Sequence, residues 1–369
     1  MTPVMILIGP RQQINQVTSY IDASQIYGND KNLAMNLREL QGGRMKLKDN
    51  GLPPDDPEVM CGEENCFKTG DRRANFILGL ASLHTLFLHE HNAIAHGLAE
   101  VNPHWDDEKL YQESRKIVGA QQQHITYSWY LKNVIGSDFM GNFGLNPRQP
   151  SWSSSQYESC SAYIFAHFAA GAFRPSGHSQ IQNSQFIAKK DRTGTTESHL
   201  TNDFFNPSKM NLDGDGIASV ARILVGSEIQ RCKFANRFVS KIVHEEMLAT
   251  AENKMDGFDL SATDIQRGRD FGLPPYVKFL EKEIGESPKS FDDLAHLVEN
   301  EETLEALKIA YKSVKDIDLF TGLSVEKHVP GGRLGKTSAT IIAKQFQNLK
   351  HCDRFFYENL DQPGSFTQG

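Results

Sequence analysis

The sequence predicts a mainly α-helical protein, in which one large helical unit is joined by long loops. Long stretches of the chain place apolar residues at helical spacing, and the alternating patterns typical of β-strands are almost absent. The 369 residues are 39% hydrophobic and 23% charged, which is the composition of a globular protein with a large core. Length alone allows about two domains, but neither an internal repeat nor a low-complexity tract divides the chain.

The first helical stretch runs from about Ala74 to Ala99, where apolar side chains recur on one face from Phe76 to Leu98. A second begins near Asp106, because acidic residues favour the first turn of a helix. Segments rich in Gly, Pro, Asn and Ser separate several of the later stretches. The predicted helices after the first are Asp106–Ile135, Ser159–Phe173, Ile217–Glu228, Lys233–Ala251, Ser290–Glu299, Glu302–Lys315 and Ser338–Leu349.

Charge and hydropathy argue against two classes of protein. The net charge is −7 and no run of five basic residues occurs, so no nucleic-acid partner is predicted. No apolar stretch approaches the roughly 18 residues that span a membrane. The run Val4–Ile8 is also too short for the core of a secretory signal, and Arg11 follows it, so no signal peptide is predicted in this chain.

The five cysteines give a weak indication of compartment. Cys61 and Cys66 enclose four residues in a polar stretch, where a local disulfide is geometrically plausible. Cys160, Cys232 and Cys352 are dispersed. Because the count is odd, at least one thiol is free or pairs outside the chain.

Three motifs resemble known sites but lack their spacing. The segment His84–His96 holds four histidines without the His-Glu-x-x-His pattern of a zinc hydrolase. Gly331–Thr337 has one residue too few for a phosphate-binding loop. Asp213–Gly216 begins like an EF-hand, but Leu224 occupies the position of the required glutamate. Packed or surface histidines and ordinary turns are therefore the favoured interpretations.

The segment Thr18–Ser24 is a candidate cation loop. Thr18, Asp22 and Ser24 offer side-chain oxygens within seven residues, and the Tyr20 carbonyl adds another. A hard cation such as calcium takes about 6–8 oxygen ligands, of which this loop supplies a part. A simple turn built from Ser, Thr and Asp is the alternative.

His178 and the segment Asp264–Asp270 combine an imidazole with carboxylates, an amide and two arginines. An imidazole that binds haem iron through Nε2 usually has its Nδ1–H held by a carboxylate or carbonyl. Arginines form bidentate contacts with the carboxylates of an anionic cofactor. These residues are compatible with a haem site, and a surface histidine beside helix-end ion pairs is the alternative.

Several segments, taken in chain order, carry a resemblance to a known family. They are Gln13–Gly28, Gly70–Arg73, Ser82–Asn92, Leu110–Ala120, Ala172–Arg174 with His178, Gln266–Pro274 and Asp353–Asn359. In these segments the chain resembles the animal haem peroxidases. The resemblance implies one mainly α-helical haem peroxidase domain over residues 11–360, after an unstructured or truncated N-terminus at 1–10 and before a C-terminal tail at 361–369.

The resemblance implies that haem b is the cofactor and that His178 is the proximal iron ligand. Asp264 matches the position that accepts a hydrogen bond from this imidazole, where the family usually has Asn. A carboxylate there would lower the reduction potential of the iron. Arg174 and Arg267 match residues that bind the haem propionates.

Two further features near His178 bear on this assignment. One extra residue, Pro175 or Ser176, separates Arg174 from the Gly-His pair when compared with the family. His167 is the rival iron ligand on the preceding helical stretch.

Arg73 matches the distal arginine of the family. The resemblance implies that it is catalytic, because a guanidinium stabilises charge on the oxygen that departs when peroxide is cleaved. Cys61 and Cys66 match a family disulfide. The calcium ligands implied by the resemblance are Thr18, Tyr20, Asp22 and Ser24.

The chain also departs from the family pattern. No histidine precedes His84 and no aspartate precedes Asp22, so the family's distal histidine, which removes the peroxide proton, and two nearby aspartates have no counterpart. Phe76 occupies the position of a haem-linking glutamate and Ile77 that of a methionine, so no ester to the haem is expected there.

Two interpretations follow from this comparison. In the first, the chain is part of a haem peroxidase whose remaining segment lies upstream. It would use hydrogen peroxide to oxidise a halide or an organic donor, in a secreted or extracellular setting. In the second, it is a peroxidase-like structural or interaction protein that has lost the distal histidine. The sequence does not predict an oligomeric state.

Overall fold

The computed structural model describes residues 13–62, 64–148, 157–249, 256–360 and 362–366. The predicted fold class is confirmed, because helices dominate the described residues and strands form only two short hairpins. No helix in these ranges is long and apolar enough to cross a membrane. The predicted segment 1–10 lies outside the described residues, and the boundaries of the predicted domain stay a prediction.

The α-helices and strands are defined here in chain order. The α-helices are α1 (Ser24–Tyr27), α2 (Lys31–Asn36), α3 (Leu78–Val101), α4 (Asp107–Ile125), α5 (Leu131–Asn142), α6 (Phe173–His178), α7 (Ile217–Ile229), α8 (Lys241–His244), α9 (Leu260–Asp270), α10 (Tyr276–Phe279), α11 (Glu301–Ala310), α12 (Leu319–Ser324) and α13 (Lys336–Cys352). The strands are β1 (Asp55–Cys61), β2 (Glu64–Phe67), β3 (Ser184–Ala188) and β4 (Thr195–His199), which pair as the antiparallel hairpins β1–β2 and β3–β4.

Helices α3 and α4 confirm the first two predicted helices. The side chain of Asp106 accepts a hydrogen bond from the Lys109 amide at 2.8 Å, so an acidic cap starts α4 as expected. The second predicted helix is continuous as far as Ile135, because a π-helical turn at Thr126–Tyr130 joins α4 to α5. Leu88 of α3 and Val118 of α4 pack in one hydrophobic cluster.

The largest hydrophobic core lies among the C-terminal helices. Helix α13 is buried on every side over residues 339–343, as expected for a helix in the middle of a core. Leu131 of α5, Tyr276 of α10 and Leu323 of α12 belong to the same cluster. This core supports the segment that carries His178, because Phe168 and Ala172 also pack into it.

Two predicted helices are wrong. Within residues 233–249 only the short helix α8 forms, because tertiary contacts take the backbone groups and side chains that a longer helix would use. The Ile242 amide donates to the Asn183 side chain at 3.1 Å, and Arg237 pairs with Glu302 of α11. In the predicted helix 290–299, only a 3-10 turn forms, at Asp292–Leu294. The Asp293 side chain accepts hydrogen bonds from the amides of Lys289 and Ser290.

The structure confirms the Cys61–Cys66 disulfide and adds a second disulfide between Cys160 and Cys352. The second bond joins residues 192 positions apart, and it ties the end of α13 to the segment before α6. Among the described cysteines, Cys232 is free and exposed.

Candidate functional site

The segment that carries His178 is helical from Ala166 onward. A π-helical turn at Phe168–Ala172 leads directly into α6, which ends at His178. The extra residue at Pro175 or Ser176 lies after this turn, within α6, and the helix continues through it to His178. At Gly171 a Cβ would lie 2.7 Å from the Leu319 side chain, so any larger residue would displace that side chain. The extra residue therefore leaves the helix continuous.

His178 lies against Asp264, which is 86 positions later in the sequence. Helix α9 brings Asp264 to this place, and the Asp259 side chain caps that helix by accepting from the Ala262 amide at 2.9 Å. The His178 Nδ1 and Asp264 Oδ2 atoms are 2.6 Å apart, and the two side chains are 14% and 3% exposed.

His178 and Asp264 are in close contact, but the contact is not an aligned hydrogen bond. Neither His178 Nδ1 nor Asp264 Oδ2 has an aligned hydrogen-bond partner among the described residues. An iron-binding histidine usually donates its Nδ1–H to a carboxylate or carbonyl, and Asp264 lies close enough to His178 Nδ1 for that contact. The donor set therefore fits a haem iron.

The structure places Arg174 beside this pair. Its Nη1 atom lies 3.7 Å from Asp264 Oδ1, and its Nε donates to the Ala169 carbonyl at 2.9 Å. Asp264 thus lies between an imidazole and a guanidinium. Arg267 lies one helical turn after Asp264 and is exposed on α9.

His167, the rival iron ligand, lies in a different environment. Its ring stacks on Phe165 at a centroid distance of 5.2 Å and packs against Phe279 at the same distance. Burial lowers the pKa of this imidazole. No carboxylate among the described residues holds either ring nitrogen, so His178 is the better candidate.

Arg73 lies in the exposed 3-10 turn that precedes α3. It follows Asp71, which caps the 3-10 turn Arg72–Asn75 by accepting from the Arg73 amide at 2.9 Å. The same carboxylate accepts from Arg73 Nε at 3.0 Å and from Nη2 at 2.6 Å. These hydrogen bonds lower the pKa of Asp71. The Arg73 side chain is 75% exposed, so Asp71 alone holds its guanidinium among the described residues.

One hydrophobic cluster connects the Arg73 segment with the His178 segment. Phe76 packs against Phe204 and Phe205 at centroid distances of 5.2 and 5.6 Å. Phe76 also packs against the cluster that Ile181 and Leu260 contact, and these residues lie three positions after His178 and four positions before Asp264, respectively. The position of the family's haem-linking glutamate is thus filled by a packed aromatic ring.

His84, two turns into α3, is a buried histidine whose environment the sequence did not reveal. It is 6% exposed, and neither ring nitrogen has a hydrogen-bond partner among the described residues. Burial lowers its pKa to about 4, and the nearby Asp71 carboxylate opposes this shift. Asp71 therefore interacts with both Arg73 and His84. The sequence indicated no role for it beyond its place in the Gly70–Arg73 motif.

The candidate cation loop forms a compact turn. Thr18 Oγ1 accepts from the Tyr20 amide at 3.1 Å, and Asp22 Oδ1 accepts from the Ser24 amide at 3.0 Å. The second carboxylate oxygen of Asp22 accepts no hydrogen bond from the described residues. Hydroxyl, carboxylate and carbonyl oxygens are the donors that calcium prefers, so the donor set fits a hard cation. No cluster of three His, Cys, Asp or Glu residues suited to a metal occurs in the described ranges.

The chain is similar in sequence to known peroxidases. The chain is 37% identical to the peroxidasin homolog of Homo sapiens, over 99% of this chain and 25% of that protein. It therefore spans about a quarter of the length of its peroxidasin relatives.

Solved structures share the fold. Peroxidase A from Dictyostelium discoideum superposes with a TM-score of 0.82 at 31% identity, covering 94% of this chain and 66% of that one. The fatty acid alpha-dioxygenase of Arabidopsis thaliana superposes with a TM-score of 0.72 at 20% identity, covering 91% and 56%, which shows a common fold only. The family model described as animal haem peroxidase matches residues 3–369. The chain belongs to the animal haem peroxidase family.

Proposed function

We propose that this chain is the haem-binding part of a peroxidase that uses hydrogen peroxide to oxidise a halide or an organic donor. The observation that carries the proposal is the 2.6 Å approach of His178 Nδ1 to the buried Asp264. Family membership supports an oxidoreductase of this class. The chain spans only part of its longer relatives, so the activity and the donor are assigned as proposals.

Haem b, when bound, supplies the redox chemistry with peroxide. His178 would hold the iron through Nε2, and Asp264 would accept the Nδ1–H and so fix the tautomer and orient the ring. Arg174 keeps a positive charge next to Asp264, and with Arg267 it would bind the propionates through charge-assisted hydrogen bonds. Arg73 would stabilise negative charge on the departing oxygen of the peroxide.

We also propose that the loop Thr18–Ser24 binds calcium through Thr18, Tyr20, Asp22 and Ser24. The support is chemical: the loop offers hydroxyl, carboxylate and carbonyl oxygens, and one oxygen of Asp22 has no hydrogen bond among the described residues. Calcium in this loop would fix the chain at the entrance to α1.

The proposed setting is extracellular. Two disulfides in the described part of the chain support an oxidising compartment, because disulfides persist mainly outside the cytosol. The proposed partners are hydrogen peroxide and a small reducing substrate. No nucleic-acid partner is proposed, since the net charge is −7.

A second candidate function is that of a peroxidase-like structural or interaction protein with impaired catalysis. One specific observation favours it: Phe76 fills the position of a haem-linking carboxylate and packs against Phe204 and Phe205. In that case haem binding and turnover are both weak.

Reconstitution with haem separates these two functions. The purified chain should develop a Soret band with added haem and oxidise guaiacol only when peroxide is present. His178→Ala should shift the band and abolish turnover, whereas His167→Ala is the matched control and should leave both intact. A Soret band that His178→Ala does not change would remove the ligand assignment. Haem binding without any turnover would favour the second function.

A further inference from the structure

Gln123 connects three distant parts of the chain near the end of α4. It is 5% exposed, so its amide is almost fully buried. Its Nε2 donates to the Ile21 carbonyl at 3.0 Å and to Asp353 Oδ2 at 3.2 Å. Its Oε1 accepts from the Tyr357 amide at 2.8 Å. One side chain thus joins the candidate cation loop, α4 and the segment after α13.

The contact with Ile21 is the main polar attachment of the cation loop. Within residues 18–24 the side-chain hydrogen bonds stay inside the loop, and the remaining backbone bonds connect to the adjoining helix α1. Among the described residues, the Ile21 carbonyl is the only group of this loop that is hydrogen-bonded to a distant element. Ile21 lies between Tyr20 and Asp22, so this bond controls the direction of both neighbours.

Asp353, which also accepts a hydrogen bond from Gln123, is fixed by further contacts. Asp353 follows Cys352, which is disulfide-bonded to Cys160. Its Oδ1 accepts from the Phe355 amide at 2.8 Å, and its carbonyl accepts from the Asn359 side chain at 2.8 Å. Asp353 also lines the same cavity of about 800 Å³ as Asp22. Gln123 therefore attaches the loop to a rigid anchor and holds two carboxylates at one cavity.

We infer that Gln123 is a positioning residue for cation binding by the loop Thr18–Ser24. It would act through the Ile21 carbonyl, by holding the backbone so that the Tyr20 carbonyl and the Asp22 carboxylate converge. The inference rests on the proposed calcium site. A ligand shell that is held in place before binding loses less conformational freedom when the ion arrives, which raises affinity.

Terbium is a suitable probe, because it prefers oxygen ligands as calcium does and its bound form is luminescent. Gln123→Met removes all three hydrogen bonds and keeps a similar volume. The matched control is Gln121→Met, since Gln121 in the same helix donates to Glu90 of α3 at 2.6 Å and does not touch the loop. Gln123→Asn is a second variant that keeps a buried amide but is too short to reach all its partners.

We expect Gln123→Met and Gln123→Asn to weaken terbium binding about tenfold or more, the usual effect of removing a residue that orients metal ligands. Gln121→Met should bind like the wild-type chain. Without any cation, the amides of Tyr20 and Ser24 should exchange hydrogen faster in the Gln123 variants, which is a property of the loop and not of overall stability.

The outcomes are distinguishable. Wild-type affinity in both Gln123 variants, or unchanged exchange of the two loop amides, overturns the positioning role and leaves the cation site intact. Failure of the wild-type chain to bind terbium competitively with calcium overturns the cation site itself, and the inference with it.

Discussion

The His178 region and the Arg73 region are built in different ways. His178, Asp264 and Arg174 come from two helices that are far apart in sequence, and the carboxylate at their centre is 3% exposed. Arg73 is instead held by Asp71, two residues earlier, and its side chain is 75% exposed. The His178 region is thus assembled by tertiary packing, whereas the Arg73 region depends on one local ion pair.

This difference shows which half of the site the described chain organises by itself. The His178 segment is supported by the largest core, through Phe168 and Ala172. The Arg73 segment contacts the rest of the site through Phe76 and its aromatic neighbours. An exposed ion pair contributes little to stability, so the geometry of Arg73 should be easier to change than that of His178. The predictions below test this contrast.

The largest expected effect concerns His84, the buried histidine near Asp71. Its pKa in the folded state is about 4, below the ordinary value of 6.5. The folded state therefore binds a proton less readily than the unfolded state, and stability is lost as the pH falls from about 6.5 to about 4. The loss due to His84 is about 3 kcal/mol by linkage. Urea unfolding at a series of pH values measures it.

The matched variants for this prediction are His84→Leu and His96→Leu. His84→Leu should reduce the loss of stability between these pH values by about 3 kcal/mol, and the rest should persist because burial also lowers the pKa of His91 to about 4. His96 is exposed and pairs only with Glu100, so His96→Leu should keep the wild-type pH dependence. An unchanged slope in His84→Leu would show that His84 is not buried in neutral form.

The next effect concerns the pair formed by His178 and Asp264. Asp264→Ala should weaken haem binding about 10- to 100-fold, because the imidazole loses the group that fixes its tautomer and orientation. A haem titration followed at the Soret band measures the affinity. Asp270→Ala at the other end of α9 is the control. Equal affinities in Asp264→Ala and the wild-type chain would contradict the role of the pair.

The smallest effect concerns Asp71. Asp71→Ala removes the cap of a 3-10 turn and should lower the free energy of unfolding by about 1 kcal/mol. Haem affinity should not change, because Asp71 does not contact His178 or Asp264. Asp71→Asn keeps the cap and should recover most of the stability. If Asp71→Ala weakened haem binding as strongly as Asp264→Ala, the two regions would not be independent.

The site could be predicted from the sequence only in part. Periodicity and spacing also allowed His178 to be a surface histidine beside helix-end ion pairs. Its pairing with Asp264 was implied by the family resemblance. Its distance now supports that pairing. Gln123 could not be found in this way, because its importance depends on three partners that only the folded chain brings together. The role of Asp71 is local, and its spacing from Arg73 was a usable signal.

The fold was predictable where a helix is amphipathic and capped locally. Helix α4 has both signals, in Asp106 and in its buried face. Helix α9 was missed although Asp259 caps it, because its buried surface is small. The start of the predicted helix at 159–173 is extended instead, since the Gln345 side chain of α13 accepts from the Phe165 amide and donates to the Tyr163 carbonyl. Such side-chain contacts between distant elements leave no trace in local periodicity.

The central claim is that Asp264 holds the imidazole that binds the iron. The most direct test is the iron–imidazole stretching frequency of the reduced, haem-loaded chain, compared between the wild type and Asp264→Asn by resonance Raman spectroscopy. A carboxylate makes the imidazole a stronger donor than an amide does, so the frequency should be higher in the wild type. The same frequency in both proteins would contradict the account.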